Sequence, residues 1–336
     1  MEVKLGLIGK GNVGTEFLKL LKEKEKYLED EFNIQVKLIA VFELDGALIN
    51  KFGLNIEKIL GINNLKDLPD WKKNISTSDI ICDFNLDILV EATPTNPDGG
   101  EPALSYILMA LQNSIHVISS NKGPFYWAFN KIKETARKSK RMVKFEATVA
   151  CCVPILSIKE HLLGNEIIGI KAILNGTSNY ILSRMTSEGI SFSMALKEAQ
   201  ELGYAETNPR LDIEGYDAAG KLVIIANELL GWSKNLNDVK IQGIKKVTPE
   251  AIELAKGEGY VIKPLAIAED SNLIVEPRLI KTNSPLNLNG TLNVIELKSK
   301  YAGSIILIGR GAGSFEAASA IFNDFIYIIK NSSVYI

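Results

Sequence analysis

The sequence has few of the residues that build metal centres or disulfide frameworks. Its 336 residues include only three cysteines, two of them adjacent, and two histidines. Three cysteines cannot form a disulfide framework, and their small number suits a reducing compartment, so we expect a cytoplasmic protein. The shortage of cysteine and histidine also leaves little material for a zinc site.

An excess of one charge and long apolar runs are also missing. The 38 basic and 40 acidic side chains give a net charge of −2. A nucleic-acid or anionic-membrane partner would favour a basic excess, so we expect neither. Polar residues interrupt the long uncharged segment from Pro102 to Asn121, unlike a membrane helix. The first residues have the pattern of a strand, without the apolar core of a signal sequence.

The first part of the chain alternates short apolar runs with helical patterns. Several of these runs lack the polar alternation of a half-exposed strand, as expected of parallel strands covered on both faces. The pattern predicts an α/β fold with a Rossmann-type, doubly wound parallel sheet. The first helix is predicted from residue 12 to about residue 31. The predicted strands are 3–8, 36–42, 87–91, 116–119 and 142–145.

After Pro154 the pattern becomes a mixture of strands and helices, which predicts a separate α+β unit. The predicted helices are 178–187, 192–202 and 215–230, and the predicted strands are 167–174, 261–268, 273–277, 294–297 and 304–308. A glycine-rich turn and an alanine-rich helix then close the chain. We therefore expect a dinucleotide-binding domain over 1–150, rejoined by 305–336, and a substrate-binding domain over 151–304.

A glycine-rich turn joins the first predicted strand to the first predicted helix. The segment Gly9-Lys10-Gly11-Asn12-Val13-Gly14 fits the pattern G-x-G-x-x-G in the strand–turn–helix context that gives it meaning. Gly9 permits the tight turn, Gly11 lets the backbone approach a pyrophosphate, and Gly14 lets the helix pack closely on the strand. Free N–H groups at the start of the helix attract the phosphates, so we predict a dinucleotide site that includes Asn12 and Val13.

The end of the second predicted strand bears on the choice of cofactor. Glu43 can accept hydrogen bonds from both hydroxyl groups of the adenosine ribose and would repel a 2′-phosphate. Asp45 competes for this role, and the spacing from Gly14 is longer than usual. We therefore expect NAD or NADP as cofactor, with NAD favoured by Glu43.

Polar residues also follow the next two predicted strands. Ligands bind outside the carboxyl ends of parallel strands, so we expect Thr93 and Pro94 to line the nicotinamide side. Asn121 follows the next strand and is assigned to the cofactor as well. Lys122 is a candidate substrate contact, although a loop lysine taken alone is more typical of the surface.

Acidic residues and a lysine cluster between residues 206 and 221. Glu206 and Asp212 lie in a loop, and Asp217 and Lys221 share one face of the following helix at spacing i,i+4. On an exposed helix such a pair is worth only about 0.5 kcal/mol. The apolar residues after Lys221 predict burial, where a lysine is costly unless it is paired or functional. A lysine in this setting suits proton transfer, and the carboxylates suit a substrate ammonium group.

These segments together resemble the homoserine dehydrogenase family, without an aspartokinase or regulatory ACT domain. The resemblance covers nearly the whole chain, and the stretch from Glu206 to Lys221 is its most specific part. It implies reversible, NAD(P)-dependent reduction of L-aspartate 4-semialdehyde to L-homoserine by direct hydride transfer, in threonine and methionine biosynthesis. The matching segments, in the family's order, are GKGNVG, EATPTN, SSNKGP, FEATVACCVP, NGTSNYILSRM, ELGYAETNPRLDIEGYDAAGKL and GRGAG.

The resemblance implies catalytic roles for three residues. Lys221 would give its proton to the aldehyde oxygen in reduction and take it back in the reverse reaction. Asp217 would position this lysine or the substrate hydroxyl, and Lys122 would orient the substrate or share the proton transfer. Glu206 would contact the substrate amino group, with Asp212 nearby.

Further roles follow from the same resemblance. A homodimer is implied, with the second domain serving for dimerisation. Gly311 would lie beside the nicotinamide, and the remaining substrate-binding residues would be Gly176, Thr177 and Tyr204. The family also binds a structural Na⁺ or K⁺, for which the counterpart ligands are Glu146 and the main-chain oxygens of Val149, Cys151 and Val153.

Two alternatives remain open from the sequence. Cys151 or Cys152 could form a thioester, as in aspartate-semialdehyde dehydrogenase chemistry, but the sequence shows no activating histidine for either. A buried cysteine is also commonly inert packing. A non-catalytic dinucleotide-binding sensor would need the glycine-rich turn but not the acidic residues and lysine between 206 and 221.

Overall fold

The computed structural model describes residues 1–332, apart from the side chains of residues 79, 80 and 82. The chain divides into two compact units. Residues 1–148 and the chain from Gly313 onward form the first unit, and residues 149–312 form the second.

The first unit contains a mixed sheet in the order β4-β3-β2-β1-β5-β6-β7. Its central strands are parallel, and their apolar residues are buried, as the continuous apolar runs predict. The Rossmann-type sheet is therefore confirmed. Two short antiparallel strands, β3 and β4, extend one edge and were not predicted. The strands are β1 (Glu2–Ile8), β2 (Gln35–Glu43), β3 (Gly46–Ile49), β4 (Trp71–Lys73), β5 (Ile88–Glu91), β6 (His116–Ser119) and β7 (Val143–Lys144).

The first helix of this unit is interrupted, in contrast to the single helix predicted over residues 12–31. At Lys24 the backbone leaves helical geometry, with φ −93° and ψ 7°, so one helix ends and another begins. Phe17, Leu18 and Leu21 of the first helix are buried. The helices are α1 (Asn12–Glu23), α2 (Glu25–Phe32), α3 (Ile56–Leu60), α4 (Thr77–Asp83), α5 (Ala103–Gln112) and α6 (Gly123–Ser139).

The second unit is the predicted α+β arrangement. Its sheet has the order β13-β12-β8-β10-β11-β9, and all neighbouring strands are antiparallel except β9 and β11. The strands are β8 (Ile167–Ile173), β9 (Val239–Ile241), β10 (Tyr260–Glu269), β11 (Asn272–Lys281), β12 (Leu292–Ser299) and β13 (Gly303–Arg310). The helices are α7 (Gly176–Glu188), α8 (Phe192–Glu201), α9 (Arg210–Ile213), α10 (Tyr216–Leu230) and α11 (Pro249–Gly257).

The chain returns to the first unit at Gly313, later than the expected residue 305. The reason is that β13 pairs with β12 along its whole length and so belongs to the second sheet. The last helix, α12 (Ser314–Asn331), contacts α1 in the first unit. Residues 333–336 of the expected returning segment lie outside the described residues. Within the described chain, no helix combines the length and the apolar character that a membrane span requires.

Candidate active site

The glycine-rich turn of the first unit has the geometry that a pyrophosphate needs. Gly9 has φ +88°, a left-handed conformation that glycine adopts without strain. A Cβ on Gly14 would lie 2.2 Å from the carbonyl oxygen of Gly9, so only glycine allows this close packing. At Gly11, by contrast, a Cβ would meet no atom within 4 Å. The backbone at Gly11 and the start of α1 therefore face open space, where phosphate oxygens could reach the free N–H groups.

Glu43, at the end of β2, lies beside this turn. Its Oε1 accepts a hydrogen bond of 3.0 Å from the backbone N–H of Lys10. The competing Asp45 is exposed and forms an ion pair with Lys66. The contacts therefore link Glu43, rather than Asp45, to the glycine-rich turn.

A buried carboxylate that sequence reasoning missed organises the ends of β5 and β6. Glu91 is fully buried, and its Oε1 accepts hydrogen bonds from the N–H (3.0 Å) and the hydroxyl of Thr93. Its Oε2 accepts a hydrogen bond of 2.8 Å from the hydroxyl of Ser119. Burial raises the pKa of the Glu91 carboxyl, although these donors oppose the shift. The available signal was an acidic residue at the end of a buried apolar strand.

Asn121 joins this cluster to the loop after β5. Its side-chain amide donates to the Thr93 hydroxyl at 3.1 Å and to the Pro94 carbonyl at 3.2 Å. Three of the residues predicted to bind the cofactor, Thr93, Pro94 and Asn121, are thus directly connected. Lys122 follows Asn121 as the N-cap of α6, and its N–H donates to the Thr95 hydroxyl at 3.4 Å.

In the second unit, Lys221 is held by two acceptors. Its Nζ lies 2.7 Å from Asp217 Oδ2 and donates a hydrogen bond of 2.8 Å to the carbonyl oxygen of Leu174. The side chains of the lysine and the aspartate are only 9% and 13% exposed. The predicted i,i+4 pair is therefore a largely buried ion pair and not a solvated one. The carbonyl oxygen of Leu174, at the end of β8, orients the ammonium group of Lys221.

Asn175 connects the carboxylates and was absent from the predicted site residues. Its Oδ1 caps α7 by accepting from the N–H of Ser178 at 2.9 Å. Its Nδ2 donates to Asp212 Oδ1 at 2.6 Å and to Asp217 Oδ2 at 3.0 Å. One amide therefore holds two carboxylates beside Lys221, which reduces their mutual repulsion and orients both.

Of the remaining substrate-binding candidates, Thr177 and Tyr204 are in contact with each other, whereas Glu206 is described by itself. The Thr177 hydroxyl donates to the carbonyl oxygen of Tyr204 at 2.6 Å, so the start of α7 and the loop before α9 are joined. The Tyr204 ring lies 4.9 Å from the ring of Tyr180. Glu206 is exposed, and its main-chain carbonyl oxygen accepts a hydrogen bond of 3.1 Å from Gln200 Nε2.

Gly311 lies against a further residue that sequence reasoning missed. A Cβ on Gly311 would lie 2.1 Å from Asn293 Nδ2. This buried amide donates to the Leu174 carbonyl at 3.2 Å, the same oxygen that accepts from Lys221. Within the second unit, Gly311 is thus close to the main-chain group that holds the lysine.

The expected cation ligands fall in both units. Glu146 is buried in the first unit, and Val149, Cys151 and Val153 belong to the second. In the turn of the second unit Ala150 and Cys151 have φ of 52° and 42°, and the Val153 carbonyl already accepts from Ile155 N–H at 2.7 Å. Among the described side chains, no group of three or more His, Cys, Asp or Glu residues could hold a metal ion. The main-chain cation site therefore stays a prediction.

Two family profiles match the chain. Residues 9–146 match the profile described as "Homoserine dehydrogenase, NAD binding domain", and residues 154–326 match "Homoserine dehydrogenase". The homoserine dehydrogenase of Methanocaldococcus jannaschii is 42% identical over 331 residues, which cover 97% of this chain and 98% of the relative. The NAD(+)-dependent homoserine dehydrogenase of Pseudomonas canavaninivorans is 34% identical over 344 residues, covering 99% of this chain and 97% of the relative.

A solved structure is similar over its full length. It is a hyperthermophilic archaeal homoserine dehydrogenase mutant in complex with NADPH. The two chains superpose with a TM-score of 0.85 at 26% sequence identity, and the alignment covers 98% of each chain.

Proposed function

Since this chain belongs to the homoserine dehydrogenase family, we propose that it interconverts L-aspartate 4-semialdehyde and L-homoserine with NAD or NADP. The predicted resemblance and the predicted class of enzyme, a nicotinamide-dependent oxidoreductase, are confirmed by the family. The two alternatives lose their support. Thioester chemistry belongs to a different enzyme, and a sensor would not need the buried lysine and carboxylates of the second unit.

One observation carries the proposed mechanism, namely the unused donor of Lys221. An ammonium group has three N–H donors. Among the described residues, Nζ bonds to two acceptors, Asp217 and the Leu174 carbonyl. The third N–H is available for the oxygen of the substrate. In reduction this N–H gives its proton as negative charge develops on that oxygen, and in oxidation the neutral amine takes the proton from the hydroxyl.

The carboxylates support this role in two ways. Asp217 holds Lys221 in place and balances its positive charge in a site that excludes most water. Asp212 accepts a hydrogen bond from Asn175, and we propose that its negative charge attracts the ammonium group of a zwitterionic substrate. We propose Glu206, Gly176, Thr177 and Tyr204 as further substrate contacts, and Lys122 as the second lysine of the reaction.

The first unit is proposed to bind the cofactor through the residues predicted from its strand ends. When bound, the nicotinamide ring supplies or accepts the hydride. The turn from Gly9 to Gly14, with Asn12 and Val13, would hold the pyrophosphate, and Glu43 would hold the adenosine ribose. Thr93, Pro94 and Asn121 would line the nicotinamide side. Gly311 is proposed to contact the nicotinamide.

The choice between NAD and NADP follows from Glu43. A carboxylate at this position accepts the ribose hydroxyl groups and repels a 2′-phosphate, so we propose that NAD is preferred. One relative is named as NAD(+)-dependent, and another was solved with NADPH. Members of the family are thus described with either cofactor, and we propose that the residue at this strand end determines the choice here.

We further propose a cytoplasmic homodimer that carries a monovalent cation in each chain. Half-exposed apolar side chains on the second sheet, Leu279 on β11 and Ile308 on β13, supply surface for association. Light scattering coupled to gel filtration measures the oligomeric state directly. A monomer at micromolar concentration would contradict this part of the proposal.

The activity itself is tested by the absorbance of reduced nicotinamide. Purified protein is mixed with L-homoserine and either NAD or NADP in parallel reactions. We expect cofactor reduction that depends on homoserine and is faster with NAD. No homoserine-dependent reduction with either cofactor, in protein that binds NAD, would favour the sensor alternative.

A further inference from the structure

The second unit contains a buried ammonium group that the proposed mechanism does not use. Lys263 lies on β10 and is 1% exposed. Its Nζ donates only to neutral oxygens among the described residues, and no ion pair of this lysine is present there. The acceptors are Leu288 O at 2.7 Å, Asn289 Oδ1 at 2.9 Å, Ser183 Oγ at 3.2 Å and Asn179 Oδ1 at 3.5 Å.

Burial of the Lys263 ammonium group without a carboxylate partner among the described residues costs free energy of folding. Burial alone lowers the pKa of Lys263 to about 8, because no carboxylate offsets the loss of water. A buried charge without a counterion costs more than an apolar side chain of similar size. The hydrogen bonds to the four oxygens must offset that cost, so the ammonium group and the segments that carry the oxygens hold one another in place.

The acceptors belong to two segments, α7 and the connection between β11 and β12. Asn179 lies on α7, and its Nδ2 donates to Leu288 O at 3.0 Å and to Gly290 O at 2.9 Å. The connection is therefore attached to α7 by the asparagine and to β10 by the lysine. Leu288 O receives a hydrogen bond from each of these two side chains.

The same connection touches the start of α7, where the substrate is proposed to bind. A Cβ on Gly176 would lie 2.5 Å from the carbonyl oxygen of Thr291. The backbone of Thr291 thus lies directly on the backbone of Gly176. A shift of the connection would therefore change the support of the turn formed by Gly176 and Thr177.

We propose that Lys263 is a positioning residue for the substrate. It holds residues 288–291 against Gly176 and thereby sets the turn that binds homoserine. The inference rests on the proposed function, since it assumes that Gly176 and Thr177 contact the substrate. Lys263 itself is proposed to transfer no proton and to contact no substrate atom.

The test compares Michaelis constants for the two substrates in Lys263→Met. Methionine keeps most of the apolar stem and removes the ammonium group. We expect KM for homoserine to rise about tenfold, as for loss of one charge-assisted contact. KM for NAD and kcat should stay within about twofold of the wild-type values, because the first unit and Lys221 are unchanged. The matched control is Lys171→Met on β8, whose half-exposed lysine lies 3.8 Å from Glu269, and it should leave both constants unchanged.

A second variant keeps the test valid if Lys263→Met does not fold. Asn289 is exposed and supplies one acceptor, so Asn289→Ala should fold and raise KM for homoserine by a smaller factor. In the double variant the two effects should combine to less than their product, because both remove the same contact. A general loss of stability would not produce this pattern. Ile252→Ala, which removes buried surface from α11, should lower Tm without changing KM for homoserine.

The outcomes separate this inference from the proposed function. If the wild-type protein reduces neither NAD nor NADP with homoserine, the proposed function fails and the inference with it. If the wild-type protein is active but Thr177→Ala leaves KM for homoserine unchanged, the substrate turn is wrong and the inference fails through it. A third outcome overturns only the role of Lys263. In it, Thr177→Ala raises KM for homoserine, but Lys263→Met or Asn289→Ala either leaves KM for homoserine unchanged or changes the KM values for homoserine and NAD equally.

Discussion

Asn175 gives the sharpest prediction about the second unit, because one side chain has two separable tasks. Its Oδ1 caps α7, and its Nδ2 joins Asp212 to Asp217 beside Lys221. Asn175→Ala removes both functions. Loss of the cap costs about 1 kcal/mol, and loss of each of the two hydrogen bonds to the partly buried carboxylates costs about 1.5–3 kcal/mol. We therefore expect the free energy of unfolding of this variant to fall by about 4–7 kcal/mol.

Asn175→Ser separates the two tasks. Serine can still cap the helix but cannot reach the carboxylates, so the stability difference between the serine and alanine variants should be about 1 kcal/mol. Both variants should lose about 10- to 100-fold in kcat/KM for homoserine, because the loss of one charge-assisted bond has this size. KM for NAD should stay at the wild-type value.

Two measurements check this reasoning, namely urea unfolding for the free energies and initial rates over both substrates for the kinetic constants. Asn55→Ala is the matched control, since Asn55 Oδ1 caps α3 by accepting from the N–H of Lys58 at 2.9 Å without contacting Asp212 or Asp217. A serine variant with wild-type kcat/KM for homoserine would refute the role of the amide in ordering the carboxylates. A serine variant as unstable as the alanine variant would refute the cap.

Four further predictions concern the first unit. Gly11→Ala should fold normally, because the new Cβ meets no protein atom within 4 Å, but it should raise KM for NAD. Gly14→Ala should instead lower Tm, because the new Cβ would lie 2.2 Å from the carbonyl oxygen of Gly9, and an unchanged Tm would contradict this packing. Glu43→Gln should shift the ratio of kcat/KM values toward NADP by about tenfold, as for one lost charged contact, and an unchanged ratio would argue against a ribose contact. Burial, aided by the charge of Arg141, lowers the pKa of His116 from 6.5 to about 4. Between these two pH values the unfolded chain binds the proton and the folded chain does not. The stability that neutral His116 contributes should therefore be complete above pH 6.5 and be lost as the pH falls toward 4. His116→Asn should flatten this slope in urea unfolding at several pH values; an equally steep slope would remove His116 as its source.

Most of the fold could be predicted because local sequence patterns indicate its strands and helices. The buried strands β1, β2 and β5 are continuous apolar runs. The glycine-rich turn indicates a dinucleotide site because it follows β1 and opens a helix. The break at Lys24 could not be predicted, because a charged, helix-favouring segment gives no local sign of where the backbone departs from helical geometry. The late return at Gly313 depends on the pairing of β13 with β12, which is a contact between distant residues.

The site was predictable where spacing alone decides the contact. Asp217 and Lys221 meet because they are four residues apart on one helix. Asn175 is recognisable as a helix cap, but its contacts with Asp212 and Asp217 depend on how α7 packs on α9 and α10. Glu91 and Lys263 were missed for the same reason: the partners of a buried charge are set by tertiary packing, which local sequence does not specify.

Lys221→Ala tests whether Lys221 carries the proton of the reaction. The measurement is the rate of homoserine-dependent NAD reduction at saturating substrates, together with NAD affinity from fluorescence titration. We predict a fall in kcat of about 10²-fold or more with unchanged NAD affinity, because the donor at the reacting oxygen is lost. Turnover near the wild-type rate would show that Lys221 does not carry the proton.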